Sequence, residues 1–386
     1  MAQSRFDIRI PFYLTIGLAV SFVTSMFFMQ FFAALLGIFW LIEKYESKKK
    51  AFDVFAWFVL AFGLIRAFSV IFSIDKSVSV EIFYKEILFY FAFFSLSFYL
   101  KIFDKNKKQI IIYTFIGTAA VVALSGIIKF DLNLVQRSEA FTTYTTFASY
   151  LLVAFAFALS FHSEIQTRFK YYAGTIILIL LLSGIITSLG RTVSAITVLV
   201  FLTAIIFKKI TIKTSVMIVA ATVVICFVSF NINKTEVSDR IQNPGRLSDR
   251  DVLIKGAEDL VFKTPVWGFG PITFHEVFPY ADQFGDKGIG GWHNDLFQVY
   301  FESGIPGLIS FLALLIFVLW KSFAEVRKKK YQAGLSFALL LGITGLFLTL
   351  FTIGFVTHVV LSIVFAFLVS LLSSETSETI TLNYSK

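Results

Sequence analysis

Charge is scarce in this chain. Only 15% of its 386 residues are Asp, Glu, Lys or Arg, while 57% are hydrophobic. Soluble domains are about a quarter charged. Phe alone contributes 49 residues, more apolar surface than a soluble core of this size can hide. That excludes an ordinary soluble domain and leaves lipid as the solvent for most of the chain. Cysteine is nearly absent: Cys226 stands alone inside an apolar run, which excludes an internal disulfide and, without a Cys/His cluster, a zinc site. There is no Walker lysine loop, no HExxH and no GxSxG, so the usual nucleotide, metalloprotease and hydrolase signatures are missing. No internal repeat is visible and acidic residues within the apolar runs are few, which argues against a transporter.

What is present is a series of long apolar runs. A spanning helix needs about 20 apolar residues. Residues 10–42 read as two short helices broken near Ser21–Ser25, followed by spans at 52–73, 82–102, 109–128, 140–161, 170–189, 192–207 and 212–230. The pattern stops over the polar residues 231–292 and resumes at 294–320, 332–352 and 354–373. The fold class expected is therefore an all-α polytopic membrane protein of about 12 transmembrane helices. Its organisation is helices one to nine in 1–230, a loop domain in 231–292, helices ten to twelve in 293–373 and a polar tail in 374–386. The start of the chain carries no obvious signal-cleavage site and reads as retained membrane helices.

The formal net charge of +9 would suggest nucleic acid in a soluble protein. Here the basic residues fall in short runs between spans, as at Lys48-Lys49-Lys50, Lys208-Lys209 and Lys328-Lys329-Lys330. That is the pattern of cytoplasmic loops, and nucleic acid is not an expected partner. Both termini are then cytoplasmic, and 231–292 faces outward.

The outward loop has structure in its pattern. Ser248-Asp249-Arg250-Asp251 looks like a helix start, and Val252, Leu253, Ala257, Leu260 and Val261 follow at helical spacing. The expectation is an amphipathic helix lying on the membrane face, ended by Thr264-Pro265. A tight turn follows over Pro265-Val-Trp-Gly-Phe-Gly-Pro271. Trp267, Phe269 and Trp292 fit an interfacial aromatic belt.

Candidate chemistry clusters on that side. His293 sits where the loop meets the next span. A neutral imidazole can take a proton from a hydroxyl near neutral pH, and a helix N-terminus opposes its protonation. Arg191 lies at a short break between two spans, where an arginine is a functional candidate by default; its guanidinium forks onto phosphate. Arg250, a cation against the dipole in a first helical turn, calls for an anionic ligand or a neighbouring carboxylate. Arg246, Arg137 and Lys85 are weaker candidates of the same kind. His162, His275 and His358 read as structural. No ATP is available outside the cytoplasm, so energy for synthesis must arrive with the substrate, and a lipid-linked diphosphate suits two or three arginines.

The stretch His293-Asn294, nine residues, then Gly304-Ile305-Pro306-Gly307 resembles the signature of the O-antigen ligases. Ser188-Leu189-Gly190-Arg191, Arg250 with the Pro265–Gly270 turn, and Arg137 to Tyr150 are similar to further segments of that family. The family helix usually carries Trp three residues after its arginine; this chain has Leu253 there. The resemblance implies a metal- and cofactor-independent, inverting membrane glycosyltransferase of GT-C-like architecture, with a large periplasmic loop holding an amphipathic helix. Such enzymes move an O-antigen glycan from undecaprenyl diphosphate to a lipid A–core sugar hydroxyl, completing lipopolysaccharide. By motif, His293 would be the acceptor base, Arg191 and Arg250 would hold the diphosphate, and Lys85, Arg137, Arg246 and Asn294 would add substrate contacts. Gly304 and Gly307 would allow close helix packing beneath the base. The alternative within the same superfamily is an O-antigen or capsule polymerase.

Overall fold

A computed structural model describes residues 7–165, 167–233, 238, 250–284, 290–329, 334–352, 354–356 and 358–376. Arg246, Ser248 and Asp249 lie outside the described residues, and so does most of the polar tail. The chain is an all-α polytopic membrane protein, and among the described residues there is no strand.

The helices run α1 (Arg9–Ser21), α2 (Met26–Ile42), α3 (Tyr45–Ala51), α4 (Val54–Ser69), α5 (Lys76–Ser79), α6 (Ile82–Ile102), α7 (Lys105–Asp131), α8 (Tyr144–His162), α9 (Arg168–Thr187), α10 (Arg191–Ile206) and α11 (Ile212–Ile232). After these come α12 (Arg250–Val261), α13 (Phe274–Val277), α14 (Asp295–Lys328), α15 (Gly334–Thr349) and α16 (Val359–Thr376). Each apolar stretch read from the sequence holds one of them, and the expected break in 10–42 falls between Ser21 and Met26. Eight helices among the described residues are long and apolar enough to cross a membrane, or nine if α2 is counted with α3, which turns away from it by 115°. The helices α1, α10 and α15 are apolar but shorter.

Side-chain caps set several starts. Ser25, Asp53, Asp104 and Thr211 each accept a hydrogen bond from an amide three residues on, which satisfies a donor that the first helical turn leaves free. In the bundle, α16 lies along α6, α15 along α8, and α14 along α4. Small residues let α6 and α16 approach, with Ser370 Oγ donating to the Phe93 carbonyl at 3.2 Å, as in other membrane helix pairs. At one end of the bundle Lys101 pairs with Asp53 at 2.8 Å, and Lys329 with Glu325 and Glu375 at 3.0 and 2.7 Å. The N-terminal ends of α6, α14 and α16 meet at the opposite end, where the cavity described below opens.

Two hydrophobic cores result. The larger fills the bundle with Phe, Leu, Val and Ala side chains. The smaller gathers Leu253, Ala257 and Leu260 of α12 with Phe274, Phe278, Phe284, Trp292 and Phe301. This corrects two expectations. The apolar face of α12 does not lie on the membrane; it packs on this aromatic core, with Leu253 in it. Trp292 is not a belt anchor either. It is 2% exposed and stacks on Phe301 with ring centroids 4.0 Å apart. Trp267 stacks on Phe72 at 5.5 Å.

Candidate active site

The site begins with a break in α14. Gly304 has φ 62° and ψ −159°, a region essentially closed to residues with a Cβ. The helix therefore stops being helical for one residue, and its neighbours lose their ordinary i−4 partners. The Ile305 N–H would bond the Phe301 carbonyl in a regular helix; it donates instead to Val266 O at 3.0 Å. Pro306 has no N–H, which frees the carbonyl of Glu302. The turn supplies both missing donors: Phe269 N to Phe301 O at 2.7 Å and Gly270 N to Glu302 O at 3.1 Å. The 265–271 turn is thus clipped main chain to main chain into the break. Gly268, at φ 76°, lies so near that a Cβ would stand 2.5 Å from the Glu302 carbonyl carbon. Gly304 consequently serves turn docking, not the close helix packing expected of it.

Ile272, just after the turn, and the first turns of α14 help to line a cavity of about 910 Å³. Residues distant in sequence line it, among them Lys85, Tyr144, Arg250, His293, Asn294 and His358. His293 is held at φ 47°, a left-handed backbone uncommon outside glycine. Its ring opens onto the cavity, and among the described residues no group hydrogen-bonds it. Protein packed around the ring desolvates it, and the Arg250 charge adds to this; together they hold the imidazole below its ordinary value. Desolvation and the Arg250 charge thus both favour the neutral imidazole, and neither was visible in the sequence.

Arg250 opens α12 as expected. Its Nη2 donates to the Thr352 carbonyl at 3.1 Å, and among the described residues it pairs with no carboxylate. Burial holds it below its ordinary value, the Tyr144 hydroxyl opposes this, and the charge of Arg191 adds to it. Arg191 heads α10 after Leu189, itself at φ 56°. It is not among the cavity-lining residues but is near enough to act on Arg250. Arg137 lies over the Tyr144 ring, 4.1 Å from its centroid, and so reaches the wall through that side chain. Lys85 lines the cavity with its ammonium 2.7 Å from Glu81. Asn294 lines it too, while its Oδ1 caps α14 by accepting from Leu296 N at 2.9 Å and Phe297 N at 3.2 Å.

The sequence reading missed the floor. Arg66 of α4 is 1% exposed and faces two carboxylates: Nη2 lies 2.6 Å from Glu86 Oε1 and 2.8 Å from Glu302 Oε2. Glu302 Oε1 accepts from Gln298 Nε2 and, at 2.8 Å, from Ile272 N. Gln298 Oε1 accepts from the Trp292 N–H at 3.1 Å. Asp295 accepts from Phe355 N at 2.6 Å. The missed signal was a cation and acids inside apolar spans, which are costly there and seldom idle. Among the described residues, no group of three or more His, Cys, Asp or Glu is placed to hold a metal ion.

Residues 176–312 match the family model for O-antigen ligase. The match spans 137 of the 386 residues. The matched stretch contains Arg191, Arg250, His293, Gly304 and Gly307, while Lys85, Arg137, Arg66 and Glu86 lie outside it. Among curated proteins, none matches the chain.

Proposed function

We propose that this chain is an O-antigen ligase, transferring an O-antigen glycan from undecaprenyl diphosphate to a sugar hydroxyl of lipid A–core at the periplasmic face of the bacterial inner membrane. One observation carries the reading: the His293 imidazole, which no described group hydrogen-bonds, shares a cavity with Arg250, a cation whose partner is a backbone carbonyl. A base and an anion site facing one space are what glycosyl transfer from a diphosphate needs. The lysine-rich end of the bundle, opposite the cavity, supports the periplasmic orientation.

In this reaction His293 takes the proton from the acceptor hydroxyl as its oxygen attacks the anomeric carbon. The bond from that carbon to the diphosphate breaks, its electrons pass to the phosphate oxygen, and the anomeric centre inverts. Arg250 and Arg191 hold the charge of the leaving diphosphate. Lys85, Arg137, Asn294 and Arg246 are additional substrate contacts in this reading. The twelve-span count and the separate loop domain belong to the same proposal.

The experiment is replacement of His293 by Ala in a ligase-null Gram-negative host that makes the matching core and O-antigen. Ladder lipopolysaccharide should disappear; a full ladder would remove His293 from the role. The polymerase alternative predicts a different product, longer glycan on undecaprenyl diphosphate with no transfer to core, and the same extracts separate the two.

A further inference from the structure

We propose that Gln298 and Glu302 are positioning residues for His293, with Arg66 as their anchor. The inference rests on the reading of His293 as the acceptor base. Among the described residues nothing hydrogen-bonds the His293 ring, so its direction depends on the backbone that carries it. That backbone is left-handed, a conformation that persists only where the surroundings impose it. The surroundings are on both sides. On one, the Trp292 N–H donates to Gln298 Oε1 at 3.1 Å and the Trp292 ring is stacked on Phe301. On the other, Asn294 caps α14, and the Asp295 N–H donates to Leu350 O at 3.0 Å.

Gln298 in turn is fixed by what it touches. Its amide can offer oxygen to Trp292 only if its nitrogen points the other way, and there it donates to Glu302 Oε1. Glu302 is held by the Arg66 guanidinium at 2.8 Å and by Ile272 N at 2.8 Å. A buried carboxylate with its lone pairs assigned sets the amide orientation of Gln298, and that orientation sets the strained residue before the span. The line runs Arg66, Glu302, Gln298, Trp292, His293 and joins the membrane core to the base. Ile272 closes the 265–271 turn on the same carboxylate, so Glu302 couples the clip to the base. Gln298 and Glu302 lie on successive turns of α14, four residues apart, as helical neighbours do.

The test uses purified full-length protein in lipid nanodiscs, with undecaprenyl diphosphate-linked O-antigen and lipid A–core from the host that encodes it. Gln298→Leu removes the acceptor for Trp292 N–H while keeping an apolar fit. Turnover should fall about 10–100-fold, the effect of a small misplacement of a reacting group, while binding of undecaprenyl diphosphate alone stays within about twofold because the arginines are untouched. Gln298→Glu opposes two carboxylates and should also lower turnover. Unchanged turnover in Gln298→Leu overturns the proposal. So does an equal loss of undecaprenyl diphosphate binding. His293→Ala separates the two readings. If it abolishes transfer and Gln298→Leu does not, only the positioning inference falls. If it leaves transfer intact, the base assignment falls and the inference with it.

Discussion

Replacing Gly304 by Ala strikes the clip at its one indispensable residue. The backbone at φ 62°, ψ −159° costs a residue with a Cβ about 1–3 kcal/mol. The new methyl would also overlap the Val266 carbonyl oxygen and stand 2.6 Å from Gly268 N. Both are main-chain atoms, so no rotamer change relieves the overlap. The turn must lift away, giving up its hydrogen bonds to 301, 302 and 305, each worth about 1 kcal/mol net. The loss of about 3 kcal/mol corresponds to roughly a hundredfold change in an opening equilibrium. It falls on the turn and not on the bundle, whose core is separate. Hydrogen exchange read by mass spectrometry on peptides covering 266–272 and 305 should accelerate by about two orders of magnitude, with the α6 and α16 peptides unchanged. Gly117→Ala is the control, because a Cβ there meets nothing within 4 Å. Exchange in the turn at the native rate would refute the clip.

Two further outcomes follow from the charges. A lowered His293 keeps its ring neutral, and hence basic, to more acidic pH than the ordinary value of about 6.5. Transfer by the native chain should therefore persist below that pH, and Arg250→Gln, which removes one of the two causes, should shift the acid limb of the rate profile upward. A limb that stays in place or moves down contradicts the assignment. Arg66→Met strands Glu86 and Glu302 in a buried site and should cost about 3–5 kcal/mol, seen as a lower melting temperature in detergent. Converting both glutamates to glutamine in the same chain should recover part of the loss; a native melting point for Arg66→Met alone would refute the pairing.

The sequence showed the helices well because lipid imposes one requirement on every span. The run from Ile82 to Ile102, for example, was legible to the residue. It also marked His293, Arg191 and Arg250 through motif spacing, but not the desolvation and the Arg250 charge that act on His293. What stayed hidden were partners far apart in the chain. Arg66 meets Glu302 across 236 positions, and no local period announces such a meeting. The α12 face looked membrane-bound because amphipathic periodicity records that an apolar face is covered, not by what. Trp292 misled for a related reason: an indole at a loop–span junction reads as a belt residue unless the aromatic core beneath it is known.

The clip also explains why nine residues separate the His293-Asn294 pair from Gly304. Those residues, Asp295 to Ser303, are a ruler. Wound as helix at 1.5 Å each, they set Asp295, two residues after His293, about 13–14 Å from Gly304, where the turn is fastened. One residue more or fewer would swing His293 through about 100° around the helix axis, off the cavity and away from Arg250, while leaving the fastening itself intact. The spacing is thus a length and an angle written in residues, with Gly304 as its zero mark.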